Sequence, residues 1–379
     1  MQIAYVYDVV YPWVTGGAEK RIYELATRLA RRGHDVHWYC VGWWLDKRNQ
    51  RIVDHDGITL HAVCEPQELY VNGRRSIREA LWFAARLFPA LDGAEYDVVD
   101  CQCFPYFPCF PAKLRTLTAR SNLVITWHEV WGNYWKEYLG YLAPFGKLTE
   151  RATARTPHHP IAVSSNTADR LTAIGSARKT IKIVPNGINV EQIRSAVPPE
   201  EGYDILFAGR LIEHKNVDML LEAFDSVADV HDVTLGIVGD GPEREHLEEK
   251  QKSLTHAANV EFLGFVDDYE DVLGHMLVAD VFVSPSTREG FGITFAEAMA
   301  ADCTVIAADY PDSAADEVID GAGFLVKPTV ISLTQSLNAA LCGERPSTNP
   351  VKRAQQYDWD TVADQAQSAY QHAIDGSWC

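Results

Sequence analysis

With 379 residues, 47% of them hydrophobic and 23% charged, the chain is long enough for two domains and too apolar to be disordered. Its formal net charge of −18 excludes the basic footprint of a nucleic-acid-binding protein. No apolar run reaches the roughly 18–20 residues of a membrane-crossing helix. The first residues lack the basic region of a secretory signal, and the eight cysteines, without framework spacing, suit a reducing compartment.

Ile3 to Val10 reads as a first strand, Tyr11 to Gly17 as a loop, and Ala18 to Arg32 as a helix with Ile22, Leu25, Ala26 and Leu29 on one face. Gly33 ends that helix and Asp35 to Val41 is a second strand, giving the βαβ opening of a parallel sheet covered on both sides. The fingerprint G-x-G-x-x-G is absent; Gly16-Gly17-Ala18-Glu19 stands in its place. Ile52 to Val63 predicts strands around an Asp56-Gly57 turn. A basic amphipathic helix is expected at 74–91, carrying Arg74, Arg75, Arg78 and Arg86 beside Leu81, Trp82, Phe83, Leu87 and Phe88. Such a helix could rest on a membrane surface or pack on the core with a solvated basic edge.

Tyr96 to Val99 is a strand, followed by Cys101, Cys103 and Cys109 in a Pro- and Phe-rich loop that suits buried sulfur better than zinc. His128 and Glu129 lie just past the carboxyl end of a strand over Leu123 to Trp127, where open α/β sheets bind ligands. Trp131, Tyr134, Trp135, Tyr138 and Tyr141 present aromatic faces that suit either a cleft for sugars or lipids or plain core.

Val190 to Gly202, with Pro198 and Pro199, reads as a linker into a second α/β cycle. There the strand Ile205 to Ala208 is followed by Arg210 and Lys215, a guanidinium and an ammonium suited to a diphosphate. Gly239-Asp240-Gly241-Pro242 is a tight turn after the strand Thr234 to Val238, and Val260 to Leu263 leads into Gly264-Phe265-Val266. Ala279 to Val283 is a strand, Ser284 to Ser286 a loop, and Gly290-Phe291-Gly292 a turn opening a helix, with Glu289 and Glu297 eight positions apart. Glycines there admit main-chain amides close to a ligand, and the helix start favours anions. Thr304 to Ala307 adds a strand, and Tyr357 to Ile374 is a tail helix whose Asp358-Trp359-Asp360 has a metal-site form but suits an ordinary cap.

The Glu289–Glu297 spacing resembles the E-x7-E signature of family 4 glycosyltransferases, retaining enzymes of the GT-B fold. The double glycine at 16–17, Thr126-Trp127-His128, Pro185-Asn186-Gly187-Ile188, Gly209-Arg210 with Lys215, and Gly239-x-Gly241-Pro242 resemble its other motifs in order. The resemblance implies two Rossmann-like, doubly wound α/β domains facing each other across a cleft. Residues 1–195 would bind the acceptor, with a C-terminal helix at 357–379 crossing back to them; residues 203–356 would bind a nucleotide-diphosphate sugar, UDP- or GDP-linked. It further implies that Glu289 faces the donor sugar, with His128 near it, and that Glu297 holds the ribose. Arg210 and Lys215 would clamp the diphosphate and Gly16 and Gly17 lie over the phosphates. Gly239, Gly264, Phe265 and Val266 would approach the nucleotide, and the amides of Gly290, Phe291 and Gly292 the sugar and phosphate. No metal and no cofactor are implied, the acceptor is a glycan or lipid-linked, and the place of action is cytoplasmic, with peripheral membrane contact through 74–91. The competing readings are a nicotinamide- or flavin-dependent oxidoreductase, disfavoured by the missing fingerprint, and a catalytically silent nucleotide-sugar-binding module.

Overall fold

A computed structural model of the chain describes every residue except 47–49, 72–73, 92, 94, 267 and 379. Contacts divide it into two compact units, Met1–Pro185 with Trp359–Cys379, and Asn186–Asp358. The division falls at Pro185, ahead of the stretch 190–202 read as a linker. Asn189 is the reason: its side chain accepts the Gln192 amide at 2.9 Å and so caps a helix, α7, over Val190–Ser195 that belongs to the second unit.

In the first unit the strands are β1 (Gln2–Val6), β2 (Asp35–Val41), β3 (Ile52–His55), β4 (Ile58–Cys64), β5 (Tyr70–Val71), β6 (Arg74–Arg75), β7 (Val98–Cys103), β8 (Asn122–Trp127), β9 (His159–Ala162) and β10 (Lys182–Ile183). Its helices are α1 (Gly17–Arg31), α2 (Ile77–Ala90), α3 (Cys109–Ala119), α4 (Trp135–Leu139), α5 (Ala143–Arg155), α6 (Ser165–Ile174) and, after the second unit, α15 (Trp359–Ile374). Among the described residues the main sheet runs β10-β9-β8-β7-β1-β2-β4-β3, parallel except for the β3–β4 hairpin. Asp56 and Gly57 both take positive φ (54° and 80°), which the two-residue hairpin turn requires. Alternate residues face opposite layers, and both are buried. Ile3 and Tyr5 join the core under α1 and α15, while Ala4 and Val6 join the one under α2 and α3.

The basic helix expected over 74–91 is shorter. Arg74 and Arg75 pair with Tyr70 and Val71 in a two-stranded ribbon, and Ser76 caps α2 by accepting the Glu79 amide at 3.3 Å. Arg75 turns inward to the fully buried Asp8 and lies 3.7 Å from the buried Glu79. The aromatic run is not uniformly core. Trp131 packs on Phe104 at 4.5 Å and on Trp135 at 4.8 Å, and Trp135 is buried over Gly146, whereas Tyr141 is 91% exposed. Cys101 and Cys103 lie inside β7 and Cys109 opens α3, all three buried. Among the described residues no helix is long and apolar enough to cross a membrane.

The second unit holds β11 (Ile205–Ala208), β12 (Leu235–Val238), β13 (Val260–Gly264), β14 (Val281–Ser284), β15 (Thr304–Ala308) and β16 (Gly323–Val326). They form a parallel sheet ordered β13-β12-β11-β14-β15-β16. Around it, following α7, lie α8 (Val217–Ala228), α9 (Arg244–Lys252), α10 (Tyr269–Val278), α11 (Ile293–Ala300), α12 (Ala315–Ile319), α13 (Val330–Leu341) and α14 (Pro350–Ala354). The loops after β11 and β12 touch backbone to backbone: Leu211 donates to Asp240 O at 2.9 Å and Glu243 donates to Leu211 O at 3.1 Å. A Cβ on Gly239 would stand 1.9 Å from Gly209 O, and one on Gly241 2.1 Å from Leu211 O, so only glycine permits this approach.

Two outcomes follow. Gly241→Ala should lower stability by about 1–3 kcal/mol through overpacking, while Gly17→Ala, whose Cβ meets nothing within 4 Å, should not; chemical denaturation of both variants checks this. Burial and the neighbouring Asp8 carboxylate push Glu79 above the ordinary carboxylate range. A carboxyl raised on folding favours the folded state below its unfolded pKa, and that contribution is lost as pH rises. Relative to Glu79→Gln, the wild-type melting temperature should therefore fall between about pH 5 and pH 8; a gap that does not change with pH would show Glu79 already ionised.

Candidate functional site

Both sheets reverse their direction of progression once, between β1 and β7 in the first unit and between β11 and β14 in the second. The loops leaving the carboxyl ends of these neighbours diverge, and such switch points are where open α/β sheets bind ligands. The residues singled out in the sequence gather there, some on each unit.

In the first unit the loop after β1 carries Gly16 and Gly17 into the start of α1. Glu19 folds back beneath it, so that a Cβ on Gly16 would stand 2.6 Å from Glu19 Oε1. Burial pushes the Glu19 carboxyl up to about 7. The glycines, Glu19, Tyr7, Tyr70, Arg75 and Phe104 line a cavity of about 230 Å³. His128 follows β8, with Nε2 2.9 Å from Gln102 Oε1. Burial, helped by the Arg21 charge, pushes its imidazole down to about 3, so it is neutral over the physiological range.

In the second unit the loop after β11 meets the loop after β14. Thr287 donates its amide to His214 O at 3.0 Å, and Asn216 Nδ2 donates to Pro285 O at 2.9 Å. Asn216 sits at φ 51°, a left-handed turn that asparagine tolerates. These ties bring the Lys215 ammonium onto Glu289 Oε1 in an ion pair whose side chains are 16% and 13% exposed. Lys215 also passes beside Gly209, its Cε 4.0 Å from where a Cβ would stand, and the neighbouring Arg210 is exposed. His214 reports the local charge: burial lowers it to about 4, and the Lys215 and Arg288 cations add to that.

Glu289 is held by its backbone, its carbonyl accepting from Ala314 N at 3.0 Å. Phe291 is buried edge-on against Tyr357 at 5.3 Å, and Gly292 caps α11 at φ 83°, where a Cβ would stand 2.4 Å from the Phe295 ring. Glu297, in the second turn of α11, is buried and accepts the Tyr269 hydroxyl. Gly239 donates its amide to Gly264 O at 2.8 Å, placing the Gly264–Val266 turn beside the Gly239 turn, with Phe265 exposed. Among the candidates, the structure thus brings Lys215 to Glu289 and Gly239 to Gly264 directly. Asp358 and Asp360 have other work: Asp358 accepts from Val190 N at 3.4 Å and Asp360 pairs with Arg28 at 2.8 Å.

Sequence reasoning missed Gln102, His214, Arg288 and Tyr269. Each acts by facing a residue distant in sequence, which spacing does not reveal; only Arg288, adjacent to Glu289, carried a local hint.

Comparison with known proteins bears on both halves of the chain. Residues 15–192 match the description "Glycosyltransferase Family 4" and residues 189–357 match "Glycosyl transferases group 1". The chain is 30% identical over 328 residues to an uncharacterized glycosyltransferase of Methanocaldococcus jannaschii, covering 81% of this chain and 80% of that one. It is 36% identical over 201 residues to the phosphatidyl-myo-inositol mannosyltransferase of Mycobacterium leprae, a match spanning 50% of this chain and only 52% of that protein's length. An alpha-monoglucosyldiacylglycerol synthase of Streptococcus pneumoniae is 26% identical across 82% of the chain and 72% of its own length. In structure, the sucrose-phosphate synthase of Thermosynechococcus elongatus superposes over 100% of both chains with a TM-score of 0.79 at 18% identity. Anabaena HepE, solved with UDP and glucose, gives 0.73 at 19% identity over 98% of this chain and 99% of its own. With two parallel switch-point units and matches over both halves, the chain is a family 4 glycosyltransferase of the GT-B fold.

Proposed function

We propose that the enzyme moves a sugar from a nucleotide-diphosphate sugar, UDP- or GDP-linked, to a lipid-linked or glycan acceptor, with retention of configuration and without a metal. The observation that carries this reading is the Lys215–Glu289 pair at the switch point of the second unit, flanked by Arg210 and by the Gly290–Gly292 turn. Lys215 and Arg210 take the diphosphate, Glu289 takes hydroxyls of the donor sugar, and the amides of Gly290, Phe291 and Gly292 meet sugar and phosphate. Glu297, oriented by Tyr269, takes the ribose, and Gly239 with the Gly264–Val266 turn lies along the nucleotide. Gly16 and Gly17 complete the phosphate contacts, and neutral His128 meets the sugar.

Among the described residues no side chain at the site is an evident nucleophile, so a single front-face displacement suits it. The C1–O bond to the diphosphate breaks and its electron pair leaves with the phosphate oxygen. The acceptor oxygen bonds C1 on the same face and gives its proton to that departing oxygen. Arg210 and Lys215 stabilise the charge that develops on the leaving group.

A lipid acceptor is favoured by the relatives named for phosphatidyl-myo-inositol and diacylglycerol substrates. It is favoured also by the surface of the first unit, where α2 exposes Ile77, Leu81, Trp82 and Phe88 and α3 exposes Phe110, Leu114 and Leu117. Within these two helices Glu79 is the only acidic residue, and it is buried. Arg78 and Arg86 are exposed in an otherwise acidic chain, so the face complements anionic lipid at a cytoplasmic membrane surface.

Three measurements test these statements. Thermal shift against UDP, GDP, ADP, their sugar conjugates and NAD should show about 2.7 kcal/mol of stabilisation near one hundred times the dissociation constant for one nucleotide diphosphate, weakened in Lys215→Ala. A shift with NAD alone would return the oxidoreductase. Because Glu289 neutralises Lys215, Glu289→Gln should abolish most turnover while leaving diphosphate binding equal or tighter; weaker binding would remove Glu289 from the sugar side. Wild-type protein should sediment with phosphatidylglycerol vesicles and Leu81→Ser/Trp82→Ser should do so at least about 10-fold less, whereas wild type left in solution would rule out the membrane face.

A further inference from the structure

The sheet face beneath α15 carries a line of polar groups in an otherwise apolar core. Tyr5 on β1 is in register with Asp100 on β7, and Gln102 on β7 is in register with Thr126 on β8. Residues two apart share a face, so Asp100 and Gln102 point the same way, as do Thr126 and His128 just past the strand end. Tyr370, on α15, reaches down to this row. All of them but His128 are fully buried.

The hydrogen bonds have a direction. The Tyr370 hydroxyl donates to Asp100 Oδ2 at 2.6 Å, and Thr126 Oγ1 donates to Oδ1 and Oδ2 at 2.9 and 3.1 Å. The Gln102 amide also lowers the Asp100 carboxyl, which an amide does by donating N–H. An ionised carboxylate only accepts. Gln102, on the same face as Asp100, presents its carbonyl oxygen to His128, and the partner at 2.9 Å is Nε2. A carbonyl oxygen only accepts, so Nε2 must carry the proton.

We propose that Gln102 is a positioning residue: oriented by Asp100 and Tyr370, it holds His128 as the neutral Nε2–H tautomer and leaves Nδ1 as a lone-pair acceptor. Among the described residues no hydrogen bond engages Nδ1. The imidazole therefore accepts a hydrogen bond from a hydroxyl of its ligand and does not donate one. This orders the site toward a polyhydroxylated ligand and away from an acceptor-only group such as a carbonyl or phosphate oxygen. The ligand class rests on the transferase reading; the tautomer does not.

The test is nitrogen NMR of the full-length protein labelled with 15N-histidine, with His128→Gln assigning the signal. Wild type should show His128 with a protonated Nε2 and an unprotonated Nδ1. Gln102→Leu should give a mixture of tautomers, and Gln102→Glu, which keeps an acceptor oxygen, should restore Nε2–H. A wild-type Nδ1–H signature, or an unchanged tautomer in Gln102→Leu, overturns the proposal whether or not the variants turn over substrate. If Gln102→Leu fails to fold, the wild-type and Gln102→Glu spectra still decide. With the donor identified, kcat of Gln102→Leu should fall about 3- to 10-fold, the worth of one misdirected neutral hydrogen bond, with Gln102→Glu recovering it; an unchanged kcat would detach the tautomer from the reaction.

Discussion

A parallel sheet covered on both faces has nowhere to place a ligand except at its carboxyl edge, and only where successive loops part company. Both units obey this constraint. In the second, the parting of the loops after β11 and β14 leaves the gap across which Lys215 and Glu289 meet. In the first, the parting after β1 and β7 leaves the cavity floored by Glu19 and walled by Phe104. The glycines at 239 and 241 serve the same constraint, since the loops beside the gap must lie flat against each other to leave it open.

Charges near these gaps are held in two ways. On the second unit an ammonium and a carboxylate neutralise one another while remaining partly exposed, so either can exchange its partner for a ligand at modest cost. On the first unit the buried carboxylates are instead kept by protonation or by donors. Glu79 rises above its ordinary range beside Asp8, and Asp100 is raised by burial to about 6 even with the hydroxyls of Tyr370 and Thr126 opposing the rise. The first arrangement suits a site that trades charge, and the second a framework that must not move.

What the sequence made legible was whatever is local. The strand-turn-helix around Glu289, the Asp56-Gly57 hairpin, the caps, and the βαβ order depend on neighbours a few residues apart, and they appeared where periodicity and glycine placed them. The bounds of α2 were misread because Arg74 and Arg75 look like a basic helix start, whereas Ser76 is the cap and Asp8, far away, draws Arg75 inward. The linker was misread because Asn189, part of a turn motif, doubles as the cap of α7. The pairings of Gln102 with His128 and of Tyr269 with Glu297 left no trace in spacing, since each joins elements whose adjacency exists only once the sheet is assembled.

The return of α15 to the first unit has a further consequence for how the protein is made. Residues 186–358 form one uninterrupted stretch and can fold as soon as they are complete. The first unit cannot: α15 buries Val362, Ala363, Ala366, Ala369 and Tyr370 against strands synthesised more than two hundred residues earlier, and Tyr370 lies 270 positions from Asp100. Until those last residues arrive, the underside of β1, β7 and β8 stays bare and the His128 side of the site lacks its anchor. Loop closure over that span is slow, and an exposed parallel sheet is a chaperone's substrate in the interval. The nascent protein should pass through a stage in which its later-made unit is native and its earlier-made one is still waiting.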